Sequence, residues 1–180
     1  MPWVELGQTA ALTAAIALAL VLLLWLASIP LRDVSIIDMV FAVLVAALVV
    51  AAYWSAGASG VIPSLTVILV LIWSARMTAY LVWRNWGHGE DPRYTRLRQW
   101  VAAGWPFHWL SLRQVFLLQG LTIWVLTLPQ QILMVTGDEA GFGMLAWTGL
   151  AMWCLGFFFE TVGDCQLSRF RGDPARRGQV

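Results

Sequence analysis

The sequence predicts an all-α integral membrane protein with about five transmembrane helices. Hydrophobic residues make up 60% of the 180 residues and charged residues only 12%, and the mean hydropathy is +0.74, which is outside the range of ordinary soluble domains. The twelve tryptophans suit a protein with two water–lipid boundaries, where the indole ring is favourable. The formal net charge of +1 gives no indication of a nucleic-acid partner.

Five apolar stretches are long enough to cross the hydrocarbon core, which takes roughly 20 residues in a helix. The predicted spans are residues 8–29, 35–54, 62–83, 112–135 and 142–163. Pro63 lies in the small-residue break before the third span, and Pro129 is expected to bend the fourth. A polar loop, 84–111, and a polar tail, 164–180, complete what we expect to be a single transmembrane helical domain.

The arginines predict how the spans are oriented. With five spans, the first loop, the third loop and the tail share one side of the membrane, and the opposite loops carry no arginine. The arginines on the shared side are Arg32, Arg84, Arg93, Arg96, Arg98, Arg113, Arg169, Arg171, Arg176 and Arg177. By the positive-inside rule, the N-terminus is outside and the C-terminus is cytoplasmic.

One face of the third span carries ionisable and aromatic side chains. Trp73, Arg76, Tyr80 and Arg84 are spaced at three or four residues, so they share that face of the helix. Arg76 lies eight residues before Arg84, which places it about 12 Å along the helix from the cytoplasmic edge. A lone arginine at the membrane centre costs roughly 2.5–3.5 kcal/mol and needs a partner or a route to the interface.

The fourth and fifth spans carry further polar groups in their cytoplasmic halves. Glu160 and Asp164 share one face of the fifth span, and Gln119 lies six residues after Arg113 in the fourth. If spans three, four and five are neighbours, Arg76, Gln119 and Glu160 meet at one depth.

This pattern allows two interpretations. In the first, an ion pair only fixes the helix register, Arg84 reaches the interface and the tail is attracted to anionic lipid. In the second, the arginines line a polar cavity that is open to the cytoplasm and binds an anionic cofactor, such as a phosphate-bearing nucleotide.

The loop WRNWGHGEDPRYTRLRQW predicts a short helix, because Glu90 and Asp91 place negative charge where RYTRLRQW would begin. The structural interpretation is an amphipathic connector at the headgroups, with Trp86 and Trp100 as anchors. No recognised metal-ligand spacing occurs among His88, Glu90, Asp91 and His108.

Three segments together resemble the bacterial branch of the steroid 5-alpha-reductase family. They are RMTAYLVWRNWGHGEDPRY, FLLQG and FFFETVGDCQLSRFR, and the resemblance covers roughly residues 34–180. It implies a multi-pass enzyme of the bacterial inner membrane that uses NADPH to reduce a carbon–carbon double bond conjugated to a carbonyl in a lipid-soluble substrate. In such a reaction, a polar group stabilises the charge that develops on the carbonyl oxygen.

The resemblance also implies roles for particular residues. Trp73 and Gln119 would face the substrate. The residues that would hold NADPH are Arg76, Tyr80, Arg84, Arg93, Tyr94, Glu160, Asp164 and Arg171. One departure concerns the second helix, where steroid reductases carry a Gln–Glu pair on the substrate ketone, whereas residues 39–54 contain neither an acid nor a glutamine.

A second departure is the absence of the family's C-terminal RHPNY-type segment. We therefore expect a truncated or N-terminal part that is inactive alone, with lipid or a homo-oligomer covering its open face. Two alternatives remain. One is a membrane methyltransferase of the isoprenylcysteine or phospholipid type, and the other is a non-catalytic module that binds lipid or a partner protein.

Overall fold

The computed structural model describes residues 2–87, 89–101, 104–137 and 142–173. Within these ranges the regular structure is helical and no strand occurs. Five helical stretches in the described part are long and apolar enough to cross a membrane, which confirms the predicted fold class. The orientation of the termini stays a prediction. The chain divides into two compact units, Met1–Glu139 and Ala140–Val180.

The first unit contains four of the membrane-capable stretches. Its helices are α1 (Pro2–Leu31), α2 (Ile36–Ser55), α3 (Val61–Asn85), α4 (Pro92–Gln99), α5 (Trp105–Ser111), α6 (Leu118–Leu126) and α7 (Leu128–Thr136). A π-helical segment, Leu112–Leu117, joins α5 to α6, so that the fourth stretch runs from Pro106 to Thr136. The interruption expected from Pro129 falls at Thr127, between α6 and α7.

Helix α2 lies at the centre of the first unit and packs against α1, α3, α6 and α7. Its buried side chains are alanines and branched aliphatics distributed around the helix, which allows neighbours on several sides. Helix α1 instead buries a narrow stripe in which Thr9, Thr13, Ala17 and Val21 are spaced four apart. Small residues in such a stripe let two membrane helices approach closely.

Gly120 explains why α6 can lie directly against α1. A Cβ atom at this position would lie 3.0 Å from Cγ1 of Val21, closer than side chains ordinarily pack. The glycine of FLLQG therefore sets the separation between the two helices.

Exposed tryptophans lie at both ends of the first unit. Trp3 and Trp54 are 79% and 75% exposed, at the start of α1 and the end of α2. The exposed tryptophans at the opposite end are Trp83, Trp86, Trp100 and Trp109. This is the distribution expected when a helical bundle spans a bilayer with an indole belt at each interface.

The second unit is built on α8 (Met144–Gly172), a 29-residue helix. It extends nine residues beyond the predicted end of the fifth span at residue 163. Trp153 and Phe157 stack along it with ring centroids 4.9 Å apart.

Candidate functional site

Polar side chains of the first unit gather where α1 and α3 end and α2 begins. At their centre is Asp38, in the first turn of α2. Its carboxylate accepts hydrogen bonds from the Tyr94 hydroxyl at 3.1 Å, from Nη2 of Arg93 at 2.9 Å and from Nε2 of Gln119 at 2.8 Å. We call these four residues the Asp38 cluster, and it connects α2, α4 and α6.

The DPRY sequence accounts for two of these contacts. Asp91 caps α4 by accepting from the backbone N–H of Arg93 at 2.8 Å, and Pro92 supplies a first helical residue whose missing N–H is not needed there. The side chain of Asp91 also binds Nε of Arg93 at 3.0 Å. This start of the helix places Arg93 and Tyr94 next to each other, facing the first turn of α2.

A second set of contacts ties α4 to the turn between α1 and α2. Glu90 and Arg98 form a two-bond ion pair, at 2.7 Å and 2.9 Å. Glu90 also accepts from the backbone N–H of Val34 at 2.9 Å, and Nη2 of Arg98 donates to the carbonyl of Arg32 at 3.2 Å. The guanidinium of Arg98 lies 4.0 Å from the ring centroid of Phe107, within cation–π range.

The environment of α4 fixes the charge states of its residues. Burial, followed by the nearby carboxylate of Asp38, raises the pKa of the Tyr94 hydroxyl above its usual value, so it remains a protonated donor. The hydrogen bond from the Arg93 side chain lowers the pKa of Asp91, which is therefore ionised. The same hydrogen bond raises the pKa of Arg93.

Gln119 occupies a special position within the Asp38 cluster. Gln119 is the second residue of α6 and lies two residues after the end of the π-helical segment at Leu117. Single π-helical turns are frequent at functional sites. Because a carboxylate can only accept, the contact with Asp38 fixes which end of the amide carries the nitrogen. The other end, Oε1, is buried, and no donor in the described part of the chain reaches it. The site therefore contains an acceptor that a bound molecule or a water can use.

Of the predicted site residues, the structure brings Arg93, Tyr94 and Gln119 together. The residue that joins them, Asp38, was missing from the predicted site. An acid at the start of a membrane span is itself a functional signal, but Asp38 can equally be interpreted as part of an ordinary helix start. The sequence does not show that α4 folds back onto this turn.

The predicted residues of α3 form a separate group. The guanidinium of Arg84 lies 5.7 Å from the centroid of the Tyr80 ring, and its Nε donates to the side chain of Asn85 at 3.2 Å. Trp73 packs partly buried against the main hydrophobic core, and Arg76 is half-buried. Among the described residues, the hydrogen bonds to the Asp38 side chain come from α4 and α6, and none comes from α3.

The remaining predicted residues lie on α8 of the second unit. Glu160 and Asp164 are half-buried and one turn apart, and Arg171 is exposed near the end of the helix. Their meeting with Arg76 and Gln119 stays a prediction. Of the possible metal ligands, His88 lies outside the described residues.

The predicted NADPH residues differ in how well they fit a nucleotide phosphate. Arg93 already binds Asp38 and Asp91, so a phosphate would have to compete with two carboxylates. Arg84 is near enough to Asp91 to help lower the pKa of that carboxyl, but among the described residues no carboxylate lies within ion-pair distance of Arg84, and its guanidinium fits an anionic group.

The first unit contains another polar region, which we call the Thr13 network. Oγ1 of Thr13 donates to Oε1 of Gln131 at 2.9 Å, and Nε2 of Gln131 donates to Oγ1 of Thr127 at 3.0 Å. Nε1 of Trp124 lies 3.1 Å from the carbonyl of Ala10 and 3.2 Å from Oγ1 of Thr13. Thr13, Thr127 and Gln131 are fully buried. This network links α1 to α6 and α7.

These features define a multi-pass membrane protein. The described part of the chain has five apolar helical stretches, exposed tryptophans at both ends of the first unit and polar groups at helix ends. The chain belongs to the DUF1295 family of proteins of unknown function, whose family model matches residues 24–180.

One relative is a protein of Schizosaccharomyces pombe that is described as uncharacterized. It is 32% identical over 101 residues, which cover 54% of this chain and 29% of the relative. The chain thus matches less than a third of the length of this relative. No solved structure matches the chain.

Proposed function

We propose that the chain forms a membrane-embedded part of a reductase that uses NADPH to reduce a carbon–carbon double bond conjugated to a carbonyl in a lipid-soluble substrate. The observation that carries the proposal is the convergence of two of the resembling segments on one carboxylate. DPRY contributes Arg93 and Tyr94, FLLQG contributes Gln119, and all three bind Asp38. The family also includes steroid 5-alpha-reductase-like proteins.

In this proposal the Asp38 cluster forms the polar end of a substrate site. Asp38 is a positioning residue, since it holds the Gln119 amide in one orientation and accepts the hydrogen bond of the Tyr94 hydroxyl, whose pKa is raised by burial and by this carboxylate. Gln119 and Trp73 face the substrate. Nε2 of Gln119 carries a second N–H besides the one donated to Asp38, and this donor would stabilise the negative charge that grows on the carbonyl oxygen in the transition state.

The nucleotide would be held by arginines and by the carboxylates of α8. NADPH supplies the hydride for the β-carbon of the substrate. In the first unit, Arg76 and Arg84 would provide positive charge for its phosphates; in the second unit, the resemblance implies a cofactor-binding role for Arg171. Glu160 and Asp164 provide acceptors for its hydroxyl and amide groups. The Tyr80 ring lies within cation–π distance of the Arg84 guanidinium, with 5.7 Å between the guanidinium carbon and the ring centroid.

The test is a titration of the detergent-purified chain with NADPH, followed by tryptophan fluorescence. Where the reading frame continues past Val180, the longer product is titrated in parallel, because we expect the 180 residues alone to reduce no enone. Arg84→Gln should weaken NADPH binding about tenfold, the size expected for one charge-assisted contact. Arg96→Gln is the control for the loss of one positive charge, because Arg96 is an exposed arginine near the same end, whereas Arg84 is half-buried.

Equal affinity in Arg84→Gln and the parent would remove Arg84 from the site. Absence of any NADPH response in both lengths of the protein would refute the reductase. A response to S-adenosylmethionine instead would favour the methyltransferase, and a response to neither compound would favour a non-catalytic membrane module.

A further inference from the structure

A groove runs along the outer surface of the first unit between α1 and α6, apart from the Asp38 cluster. Its volume is about 180 Å³. Its lining is apolar and includes Ala14, Ala17 and Leu18 of α1 and Gly120, Leu121 and Trp124 of α6.

The groove exists because its floor is made of small residues. Ala14, Ala17 and Gly120 leave out side-chain volume, while Leu18 and Leu121 remain 49% and 57% exposed at its edges. Since these leucines lie on membrane-capable helices, the groove opens toward the hydrocarbon core. From Leu117 to Trp124 it follows seven residues of the fourth stretch, or roughly 10 Å. This shape suits a single hydrocarbon chain and is too narrow for a helix.

The two ends of the groove differ. Trp124 lies at one end, where its indole nitrogen contacts Ala10 and Thr13 and fixes the ring. At the other end, four residues before Leu117, Arg113 is exposed in the π-helical segment. Arg93 and Arg98 are bound to carboxylates, whereas in the described part of the chain no carboxylate lies within ion-pair distance of Arg113.

We propose that this groove binds one acyl chain of an anionic phospholipid, whose phosphate is bound by Arg113. The apolar channel selects a flexible hydrocarbon chain, and the arginine at its end selects a negative headgroup. A second copy of this chain fits less well, because a stable dimer needs an interface far larger than this narrow channel. The inference does not depend on the proposed reductase activity.

The experiment is native mass spectrometry of the full chain in detergent. The chain is first mixed with equimolar dioleoylphosphatidylglycerol and dioleoylphosphatidylcholine, and the lipids that stay bound after the detergent is removed in the spectrometer are counted. We expect one phosphatidylglycerol to be retained about tenfold more often than phosphatidylcholine. Arg113→Gln should abolish this preference, and Ala14→Leu, which fills the groove, should reduce retention of both lipids. Matched controls are Arg96→Gln, another exposed arginine, and Ala15→Leu, whose added volume lies outside the groove.

Equal retention of the two lipids by the parent chain would overturn the proposal. Unchanged preference in Arg113→Gln would overturn the role of the arginine, and unchanged retention in Ala14→Leu would place the lipid elsewhere. The thermal unfolding temperature of each variant separates a lost site from a lost fold.

Discussion

The Asp38 cluster and the Thr13 network are two polar regions at opposite ends of α2. Ser55, at the end of α2, lies 3.4 Å from the Thr9 hydroxyl beside the Thr13 network. Asp38 and Ser55 are 17 residues apart, which corresponds to roughly 25 Å along the helix. The two regions therefore lie near opposite faces of a bilayer whose hydrocarbon core is about 30 Å thick.

They differ in charge, burial and completeness. The Thr13 network is neutral, the side chains of Thr13, Thr127 and Gln131 are fully buried, and each end of the Gln131 amide has a partner. The Asp38 cluster contains a carboxylate and a guanidinium, the Arg93 side chain is 67% exposed, and Oε1 of Gln119 has no donor among the described residues. A complete buried network is what helix association in a membrane requires. A charged and incomplete one costs stability, and this is the pattern expected of a polar region that binds a ligand.

The largest effect on stability should come from the Thr13 network. Gln131→Ala removes a fully buried amide, takes one hydrogen bond each from Thr13 and Thr127, which keep backbone acceptors, and creates a cavity. We expect the free energy of unfolding to fall by roughly 2–4 kcal/mol. The measurement is thermal unfolding in detergent followed by tryptophan fluorescence.

The neighbouring half-exposed Gln130 supplies the control, since Gln130→Ala should change the unfolding temperature little. NADPH binding, where it is detected, should be unchanged in Gln131→Ala below the unfolding temperature. If binding changed as much as stability, the two regions would not be functionally distinct.

Asp38→Asn should give the opposite pattern. The amide keeps the size of the side chain, but its NH₂ group faces donors, so at least one of Tyr94, Arg93 and Gln119 loses its acceptor. We expect a stability loss of roughly 1–2 kcal/mol, because the exposed contact with Arg93 contributes little. The free energy of NADPH binding should fall by more than the free energy of unfolding, since the Gln119 amide is no longer held in one orientation.

Two measurements are needed, the NADPH titration and the thermal unfolding temperature. Glu5→Gln is the control for the loss of a carboxylate, because Glu5 lies near the start of α1, at the end opposite the Asp38 cluster. A variant with parental binding and lower stability would make the Asp38 cluster a structural contact only.

The sequence predicts the membrane class and the five helices well, because both depend on the length and apolarity of continuous segments. The start of α4 is also readable, since Asp91 and Pro92 form a local helix-start signal. These features need no knowledge of distant contacts.

The contacts of Asp38 at the centre of the site cannot be predicted from a local sequence pattern. Asp38 meets Tyr94 and Gln119 across 56 and 81 residues, and no local pattern encodes such a pairing. Pro129 indicates an interruption of the fourth span, which lies at Thr127, but nothing in the hydrophobic pattern indicates the π-helical segment Leu112–Leu117. The predicted meeting of Gln119 with Arg76 and Glu160 stays a prediction, and the described partner of Gln119 is Asp38.

The smallest effect should come from Tyr94→Phe, and pH makes it visible. Because the pKa of Tyr94 is raised in the folded protein, its contribution to stability is present below about pH 10, the ordinary tyrosine value, and is lost as the pH rises above it. In that range the unfolded chain releases the proton first, so folding stability falls with pH. The chain has no lysine and only three tyrosines, which leaves few other groups that titrate there.

We therefore expect the unfolding temperature of the parent chain to fall more steeply between pH 9.5 and 11 than that of Tyr94→Phe, a range set around the ordinary tyrosine pKa of about 10. At neutral pH, Tyr94→Phe should cost roughly 0.5–1.5 kcal/mol, the value of one hydrogen bond. Tyr53→Phe, which removes a hydroxyl near the other end of α2, is the control for the loss of a tyrosine hydroxyl as such. Equal slopes in all three proteins would mean that burial and the Asp38 carboxylate do not raise the pKa of Tyr94 in the folded protein, and the proposed link between Tyr94 and the charge of the Asp38 cluster would then be wrong.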